Sequence, residues 1–182
     1  MSGLRALLFW LLLSMTSAVQ AAPLIQPVMM PVGAGADAVA VSTARMVGAV
    51  LEYTRWPEPR SVIRLCLAGT PRHAGRLEDV QLASGAALQL SSLTVAGELP
   101  MGRCDALYIG RLDAALTRRL IMAAHGQPVV TIAEDDPNCR NGAMFCLLFA
   151  PRTLSFQLSI DAVSRSAVRI DPRVLRLSKG GY

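Results

Sequence analysis

Four cysteines constrain this sequence more than any other feature. Among 182 residues they lie at Cys66, Cys104, Cys139 and Cys146, and only the last two are close together in sequence. An even number of cysteines in an oxidising compartment predicts disulfides, and four cysteines allow three different pairings. The fold must therefore bring these positions together in pairs.

The N-terminus has the features of a secretory signal peptide over residues 1–21. Arg5 supplies a positive charge, residues 6–13 form a short apolar core, and Val19-Gln20-Ala21 offers small residues to a signal peptidase. A retained membrane anchor is the alternative, but the apolar run is too short to cross a bilayer. We therefore expect export to an oxidising compartment, with cleavage after Ala21.

A zinc site and a redox centre are the other uses of cysteine that we weighed. The sequence has no C-x-x-C pair, and its two histidines, His73 and His125, are not placed beside the cysteines as zinc ligands usually are. We expect disulfides, with no metal and no cofactor.

The net charge is +5, and loss of Arg5 with the signal peptide lowers it to +4. The arginines are scattered along the chain, and the sequence has no nucleic-acid recognition motif. The basic residues therefore indicate a solvated surface, and we expect no nucleic-acid partner.

Alternating helical and extended patterns predict one α/β domain over residues 37–182, after a flexible lead-in at 22–36. The expected helices are 37–54, 72–82, 112–123 and a short one after Asp171. The expected strands are 61–69, 87–95, 105–110, 128–133, 144–149 and 153–160. Only Ala150-Pro151-Arg152 separates the last two strands, which predicts an antiparallel pair near the C-terminus.

No set of residues in the sequence suggests catalysis. Neither a G-x-S-x-G motif nor a phosphate-binding loop is present. Glu134-Asp135-Asp136 follows a predicted strand and could hold a cation, but such a run is more often a solvated turn. His125 ends a helix face, where a surface imidazole is the simpler interpretation. We expect a protein that is not an enzyme.

Several short stretches together resemble the YfiR-like family of periplasmic regulators. The resemblance covers about residues 38–179 and rests on the cysteine spacing and on four motifs. They are Tyr53-Thr54-Arg55-Trp56-Pro57, Leu107-Tyr108-Ile109-Gly110, Gly142-Ala143-Met144 and the C-terminal FQLSIDAVSRSAVRIDPRVLRLSK. The chain departs from the family pattern at Ala143, Gln157, Ser159 and Val174-Leu175.

This resemblance implies an α/β domain stapled by Cys66–Cys104 and Cys139–Cys146. It also implies a periplasmic protein that binds the periplasmic sensor domain of an inner-membrane diguanylate cyclase. Such a protein would hold the cyclase in check and thereby lower cyclic-di-GMP signalling and biofilm formation. A homodimer is implied as well.

The two implied disulfides close very different lengths of chain. Cys66–Cys104 closes 39 residues and Cys139–Cys146 closes eight. In the chain-entropy relation these loops are worth about 4 and about 2.5 kcal/mol. The longer link should hold the fold, and the shorter one should shape a local surface.

The segment inside the shorter disulfide is expected to be irregular. A two-residue hairpin turn at Asn141-Gly142 would place Cys139 opposite Met144, which disagrees with a bond to Cys146. The irregular loop either turns Met144 or Phe145 outward or leaves both in the core. We take Met144 and Phe145 as candidate partner-binding residues, on a surface that loosens when the disulfide is reduced.

A periplasmic receptor for a small ligand is the second function class. The carboxyl edge of an α/β sheet is a usual place for ligands, and a deep pocket with converging polar groups would favour this class. A large apolar surface would instead favour the regulator.

Overall fold

The computed structural model describes residues 28–95 and 101–179. The predicted signal peptide, residues 1–21, and the first part of the predicted lead-in, residues 22–27, lie outside the described residues. The described strands are β1 (Val28–Pro31), β2 (Thr54–Arg55), β3 (Val62–Ala68), β4 (Ala87–Leu93), β5 (Ala106–Ile109), β6 (Val130–Ala133), β7 (Phe145–Ala150), β8 (Thr153–Leu158) and β9 (Arg169–Ile170). The described α-helices are α1 (Ala38–Glu52), α2 (Ala114–Ala124) and α3 (Ile160–Ser164).

Seven strands form one sheet in the order β1-β8-β7-β6-β5-β3-β4, and β2 pairs with β9 separately. The strands from β4 to β7 are parallel, whereas β8 runs antiparallel to both β7 and β1. The predicted α/β class is therefore confirmed. The antiparallel pair near the C-terminus is confirmed too, because β7 and β8 pair from Phe145↔Leu158 to Ala150↔Thr153.

The sheet carries an apolar layer on each of its two faces. Side chains alternate along a strand, so Tyr108 of β5 lies in one layer while Leu107 and Ile109 lie in the other. The layer with Tyr108 also holds the buried residues of α1, and we call this side the α1 face. The layer with Leu107 holds those of α2, and we call that side the α2 face.

Helix α1 forms because its apolar residues recur at helical spacing. Met46, Val47, Val50 and Leu51 are all buried on the α1 face. The helix ends at Glu52, as the following Trp56-Pro57 predicts.

Helix α2 has a clear signal at each end. The Asp113 side chain accepts a hydrogen bond from the backbone N–H of Leu116 (2.9 Å), which caps the first turn. At the other end Gly126 has a φ of 71°, a left-handed conformation that glycine adopts without steric cost. Between them Leu120 and Ile121 are buried against the sheet.

Part of the predicted flexible lead-in is a strand. Residues 28–31 form β1, which pairs with β8 from Val28↔Phe156 to Pro31↔Thr153. The lead-in contains three prolines, and prolines are unfavourable inside a sheet, but Pro31 at the end of an edge strand leaves the ladder intact. These residues belong to the domain, so the lead-in prediction is wrong for them.

Two predicted helices are 3-10 segments. Within 72–82 only Leu77–Asp79 is helical, because Leu77 and Leu82 are the only buried residues there and no apolar stripe holds a longer helix on the sheet. The C-terminal helix is the 3-10 segment Pro172–Lys179, and the Asp171 carboxylate accepts a hydrogen bond from the backbone N–H of Arg173.

Candidate functional site

Both disulfides lie on the α2 face of the sheet. Cys66 in β3 bonds to Cys104, just before β5, with 5.7 Å between their Cα atoms. Cys146 in β7 bonds to Cys139, at the end of a 3-10 turn, with 5.6 Å between theirs. The structure thus has the pairing that the sequence resemblance implies, and the described residues include no free cysteine.

The loop inside the shorter disulfide is irregular and internally bonded. Asn138 and Cys139 have φ angles of 63° and 51°, a left-handed conformation that costs energy for residues other than glycine. The buried Asp136 carboxylate accepts hydrogen bonds from the backbone N–H (3.0 Å) and the side-chain amide (3.1 Å) of Asn141. Gly142, at φ 86°, donates its N–H to the Cys139 carbonyl.

The prediction that this loop turns Met144 or Phe145 outward is wrong. Met144 is 3% exposed and Phe145 is 0% exposed. Strand β7 begins at Phe145 and pairs on both sides, which points Phe145 into the α1 face, where its ring meets Phe156 at 5.3 Å. Met144 is held just before the strand by its N–H, which donates to the Thr131 hydroxyl (2.9 Å). The structure thus places both candidate anchors in the core.

At the carboxyl edge of the parallel strands, the buried carboxylate of Glu134 ties three strand ends together. It accepts hydrogen bonds from the backbone N–H groups of Arg72 and His73, which follow β3, and from the Tyr108 hydroxyl of β5 (2.7 Å). Burial raises the pKa of Tyr108 well above its ordinary value, and the charge of Glu134 raises it further. The hydroxyl therefore stays protonated and keeps donating to Glu134.

The backbone itself closes the crevice between β3 and β5. The connections after these strands leave in opposite directions, which is where open α/β sheets usually bind ligands. Here the two loops touch. A Cβ at Gly110 would lie 2.3 Å from the Pro71 nitrogen, and one at Gly69 would lie 2.6 Å from the Arg111 carbonyl oxygen. The usual ligand position at this edge is filled by the protein.

The acidic run 134–136 divides into three different environments. Glu134 and Asp136 are buried and accept internal hydrogen bonds. Asp135 is exposed, with its carboxylate 3.6 Å from the Arg72 guanidinium. In the part of the chain that the structure describes, no three His, Cys, Asp or Glu side chains are placed to hold a metal ion.

A buried ion cluster centres on Asp105, next to the longer disulfide. Its carboxylate accepts hydrogen bonds from Arg64 Nε (2.8 Å) and Nη2 (2.9 Å), and Arg60 Nε lies 3.2 Å away. Burial raises the pKa of Asp105, but the hydrogen bonds from Arg64 and the charges of Arg64 and Arg60 outweigh it and lower the pKa below its ordinary value. The Trp56 indole donates to the Asp105 carbonyl (3.1 Å).

A groove of about 510 Å³ opens beside this cluster, at the amino end of β3. Arg55, Trp56 and Arg60 are among the residues that line it. Arg55 of β2 stands directly opposite Arg169 of β9, and like charges facing each other across a strand pair are unfavourable. Nearby Asp171 is already engaged, because hydrogen bonds from Arg173 lower its pKa to about 2. The groove wall carries charges of both signs, because Glu52 and Glu58 line it together with the two arginines, and it is partly aromatic at Trp56.

The sequence matches the family described as YfiR/HmsC-like over residues 41–179, which is most of the chain and contains all four cysteines. The chain belongs to this family. YfiR-like proteins are regulators rather than enzymes. The match agrees with the resemblance seen in the sequence and with a domain held by two disulfides, as in proteins of an oxidising compartment.

Two of the YfiR-like motifs have a direct structural explanation. In Tyr53-Thr54-Arg55-Trp56-Pro57, the tryptophan anchors the chain after α1 to Asp105. In Gly142-Ala143-Met144, the glycine takes the left-handed conformation that ends the disulfide loop. Both motifs position chain segments and supply no reactive group.

Ser159, a departure from the YfiR-like pattern, caps helix α3. Its hydroxyl accepts a hydrogen bond from the backbone N–H of Ala162 (3.2 Å). Among the described residues, no helix has both the length and the hydropathy needed to span a membrane.

Sequence reasoning missed the Asp105 cluster and the role of Glu134. A signal for the first was present, since Arg64 lies inside a predicted strand and Asp105 begins another, and charged residues in buried strands need partners. No comparable signal pointed to Glu134, whose two backbone donors are 61 and 62 residues away along the chain and whose Tyr108 donor is 26 residues away.

Proposed function

We propose that this protein is a periplasmic negative regulator that binds the periplasmic sensor domain of an inner-membrane diguanylate cyclase. Binding would lower cyclic-di-GMP signalling and biofilm formation. The observation that carries the proposal is the match to the YfiR/HmsC-like family over residues 41–179. The filled crevice between β3 and β5 supports it, because the usual ligand position of an α/β enzyme or receptor is closed.

With Met144 and Phe145 in the core, the partner surface needs other apolar residues. Met122 of α2 and Ile160 of α3 are the most exposed large hydrophobic side chains described, at 63% and 70%. A hydrogen bond from the Gly126 N–H to the Arg165 carbonyl (2.9 Å) joins the residues that follow the two helices, and Ile160 begins α3. We take Met122 and Ile160 as anchors for the cyclase. Apolar anchors at the centre of an interface commonly contribute 2 kcal/mol or more, roughly thirtyfold in affinity.

The shorter disulfide gives this regulator a place to respond to redox conditions. Cys139 is only partly buried, whereas Cys66 and Cys104 are buried. Reduction would release the loop from its left-handed turn, close to α2, since Arg118 of that helix contacts Asn141. Affinity for the cyclase would then depend on the state of this bond. Self-association, which the family resemblance implies, is also part of the proposal.

Deletion and complementation test the function. Deleting the gene should raise cellular cyclic-di-GMP and surface attachment, and the wild-type gene should restore both. The Met122→Asp and Ile160→Asp variants should fold but should not return cyclic-di-GMP or surface attachment to the wild-type level. Val62→Asp, at an exposed position on β3, is the control and should complement. An unchanged cyclic-di-GMP level in the deletion strain, with the cyclase expressed, would reject the regulator.

The groove at Arg55 favours a second candidate, a receptor for a small anion. Arg55 lines this groove beside Trp56 and faces Arg169 across the strand pair, so a carboxylate or phosphate on an apolar body would offset the repulsion between the two guanidinium groups. Thermal shift with small aromatic carboxylates and sugar phosphates tests this function. A ligand of this kind should raise the melting temperature of the wild type but not of Arg55→Gln.

A further inference from the structure

The two edges of the main sheet are protected to different degrees. At one edge, β1 has four residues, ends at Pro31 and packs against the 3-10 segment Pro172–Lys179. At the other edge, β4 has seven residues, ALQLSSL, without a charge or a proline, and no described strand pairs with its outer side. An unpaired row of backbone N–H and C=O groups can pair with a strand of another molecule. Proteins usually prevent this with a short edge strand, a proline or a covering segment, as at β1.

Both ends of the described chain lie at the edge opposite β4. Val28 begins β1, and the 3-10 segment Pro172–Lys179 packs against β1. Six strand spacings of about 4.8 Å, roughly 29 Å in all, separate β1 from β4.

Among the described residues, the outer edge of β4 is therefore open to a strand from another molecule.

We propose that this strand is β4 of a second copy of the chain, paired antiparallel across a two-fold axis. Self-pairing sets a strand against its own sequence, so any charge would face a like charge near the axis. Every residue from Ala87 to Leu93 is uncharged, which makes the strand compatible with itself. The two sheets then become one continuous sheet.

A register centred on Leu90 pairs all seven residues of both strands. Leu90 faces Leu90 of the second copy, and Leu88 faces Ser92. In the single chain Leu88 and Leu90 are only half-buried on the α1 face. In the pair the leucines of both copies lie together on that face, so apolar surface is buried where the backbone bonds form.

The β4 interface depends on the self-association that is part of the proposed function. Sedimentation velocity distinguishes a failure of self-association from a failure of this interface alone. The wild type should sediment as a dimer at micromolar concentration. Gln89→Lys/Ser92→Lys changes two exposed positions of β4 and should raise the dissociation constant about tenfold or more, while the far-UV circular dichroism spectrum stays that of the wild type. Met29→Lys, on the opposite edge strand, is the matched control and should remain as dimeric as the wild type.

A cross-link tests the register without relying on charge. Directly opposed residues of an antiparallel pair have Cα atoms about 4.5–5.5 Å apart, within reach of a disulfide. Leu90→Cys should therefore form a covalent dimer on oxidation. Ser92→Cys should not, because position 92 faces Leu88 of the second copy, four positions from the other cysteine.

The outcomes separate this surface from the rest of the proposed function. A wild type that is monomeric overturns self-association and the β4 surface, while leaving cyclase binding intact. The β4 surface alone is overturned if Gln89→Lys/Ser92→Lys dimerises with the affinity of the wild type and oxidised Leu90→Cys forms no covalent dimer. A monomeric wild type whose lysine variant loses cyclase binding assigns the edge to a strand of the cyclase and overturns the pairing of two copies.

Discussion

The two disulfides lie on the same face of one sheet but hold the chain in different ways. Cys66–Cys104 links β3 to the residue that precedes β5 by two positions, and neither cysteine has a left-handed backbone. Cys139–Cys146 links β7 to a turn in which both Asn138 and Cys139 are left-handed. The first bond strengthens an arrangement that strand pairing already specifies. The second maintains a local conformation that its residues do not favour by themselves.

The largest effect is expected where the second disulfide meets the core. Phe145→Ala should lower the free energy of unfolding by about 3–5 kcal/mol, because it leaves a cavity in the apolar layer on the α1 face of the sheet. Phe149→Ala is the matched control in the same strand, and it should cost clearly less because Phe149 is only partly buried. Urea unfolding of both variants measures the difference. Equal losses of stability would mean that Phe145 contributes no more to the core than the partly buried Phe149.

Removing each disulfide tests the comparison directly. Cys66→Ala/Cys104→Ala should cost about 4 kcal/mol and Cys139→Ala/Cys146→Ala about 2.5 kcal/mol, since the first closes the longer loop. For a chain of this size these losses correspond to melting shifts of roughly 8–16 °C and 5–10 °C. Thermal unfolding of the two variants under identical conditions measures them. A smaller shift for the first pair would show that loop length does not rank these bonds.

The ranking of the disulfides could be predicted from the sequence, but the position of the candidate anchors could not. Once the family resemblance implies the pairing, the residue numbers give both loop lengths, and the chain-entropy relation ranks the bonds from these lengths. Whether Phe145 points inward depends on which partner strands flank β7, and these come from 130–133 and 153–158. The buried bonds of Asp136 and Glu134 likewise depend on contacts that no local pattern encodes.

The surroundings of the longer disulfide should be sensitive to acid. Asp105 has a folded-state pKa below its unfolded value of about 3.9, so its contribution is fully present above about pH 4 and is lost as the pH falls through the folded-state pKa. At neutral pH, Asp105→Asn should cost roughly 1.5–3 kcal/mol, because charged hydrogen bonds from Arg64 are lost. The gap between wild type and variant should narrow below about pH 4.

An exposed ion pair provides the control for Asp105. Asp161 pairs with Arg165 on the surface of α3 (2.8 Å), and Asp161→Asn should change stability by less than about 1 kcal/mol at any pH. Denaturant unfolding between about pH 3 and pH 7 measures both variants. A gap for Asp105→Asn that stays constant with pH would contradict the lowered pKa.

The smallest effect isolates the backbone difference between the two disulfides. Because Cys139 is left-handed, Cys139→Gly/Cys146→Ala should be more stable than Cys139→Ala/Cys146→Ala by about 1 kcal/mol. At the first disulfide the order should reverse, with Cys104→Gly less stable than Cys104→Ala by about 0.5–1 kcal/mol when Cys66 is alanine. If glycine lowers stability at both positions, the turn is not strained.

The sequence by itself determined the class of this protein. The four cysteines and the alternation of helical and extended segments are local patterns, so they are readable without coordinates. They led to a disulfide-stapled α/β domain, and the motifs led to its family. Helix α2 shows the reason, since its apolar face, its cap at Asp113 and the glycine at 126 all lie within a few residues of the helix.

Only the tertiary structure decided which surfaces remain free. Residues 28–31 became an edge strand because β8 was available to pair with them, although their own sequence favours no strand. Glu134 closes the crevice at the strand ends because loops some 60 residues earlier in the chain present their N–H groups to it. β4 has an open outer edge because β3 lies beside it and no later described strand pairs with its other side. Each outcome depends on residues far apart in sequence, whose meeting is set by the packing of the whole sheet.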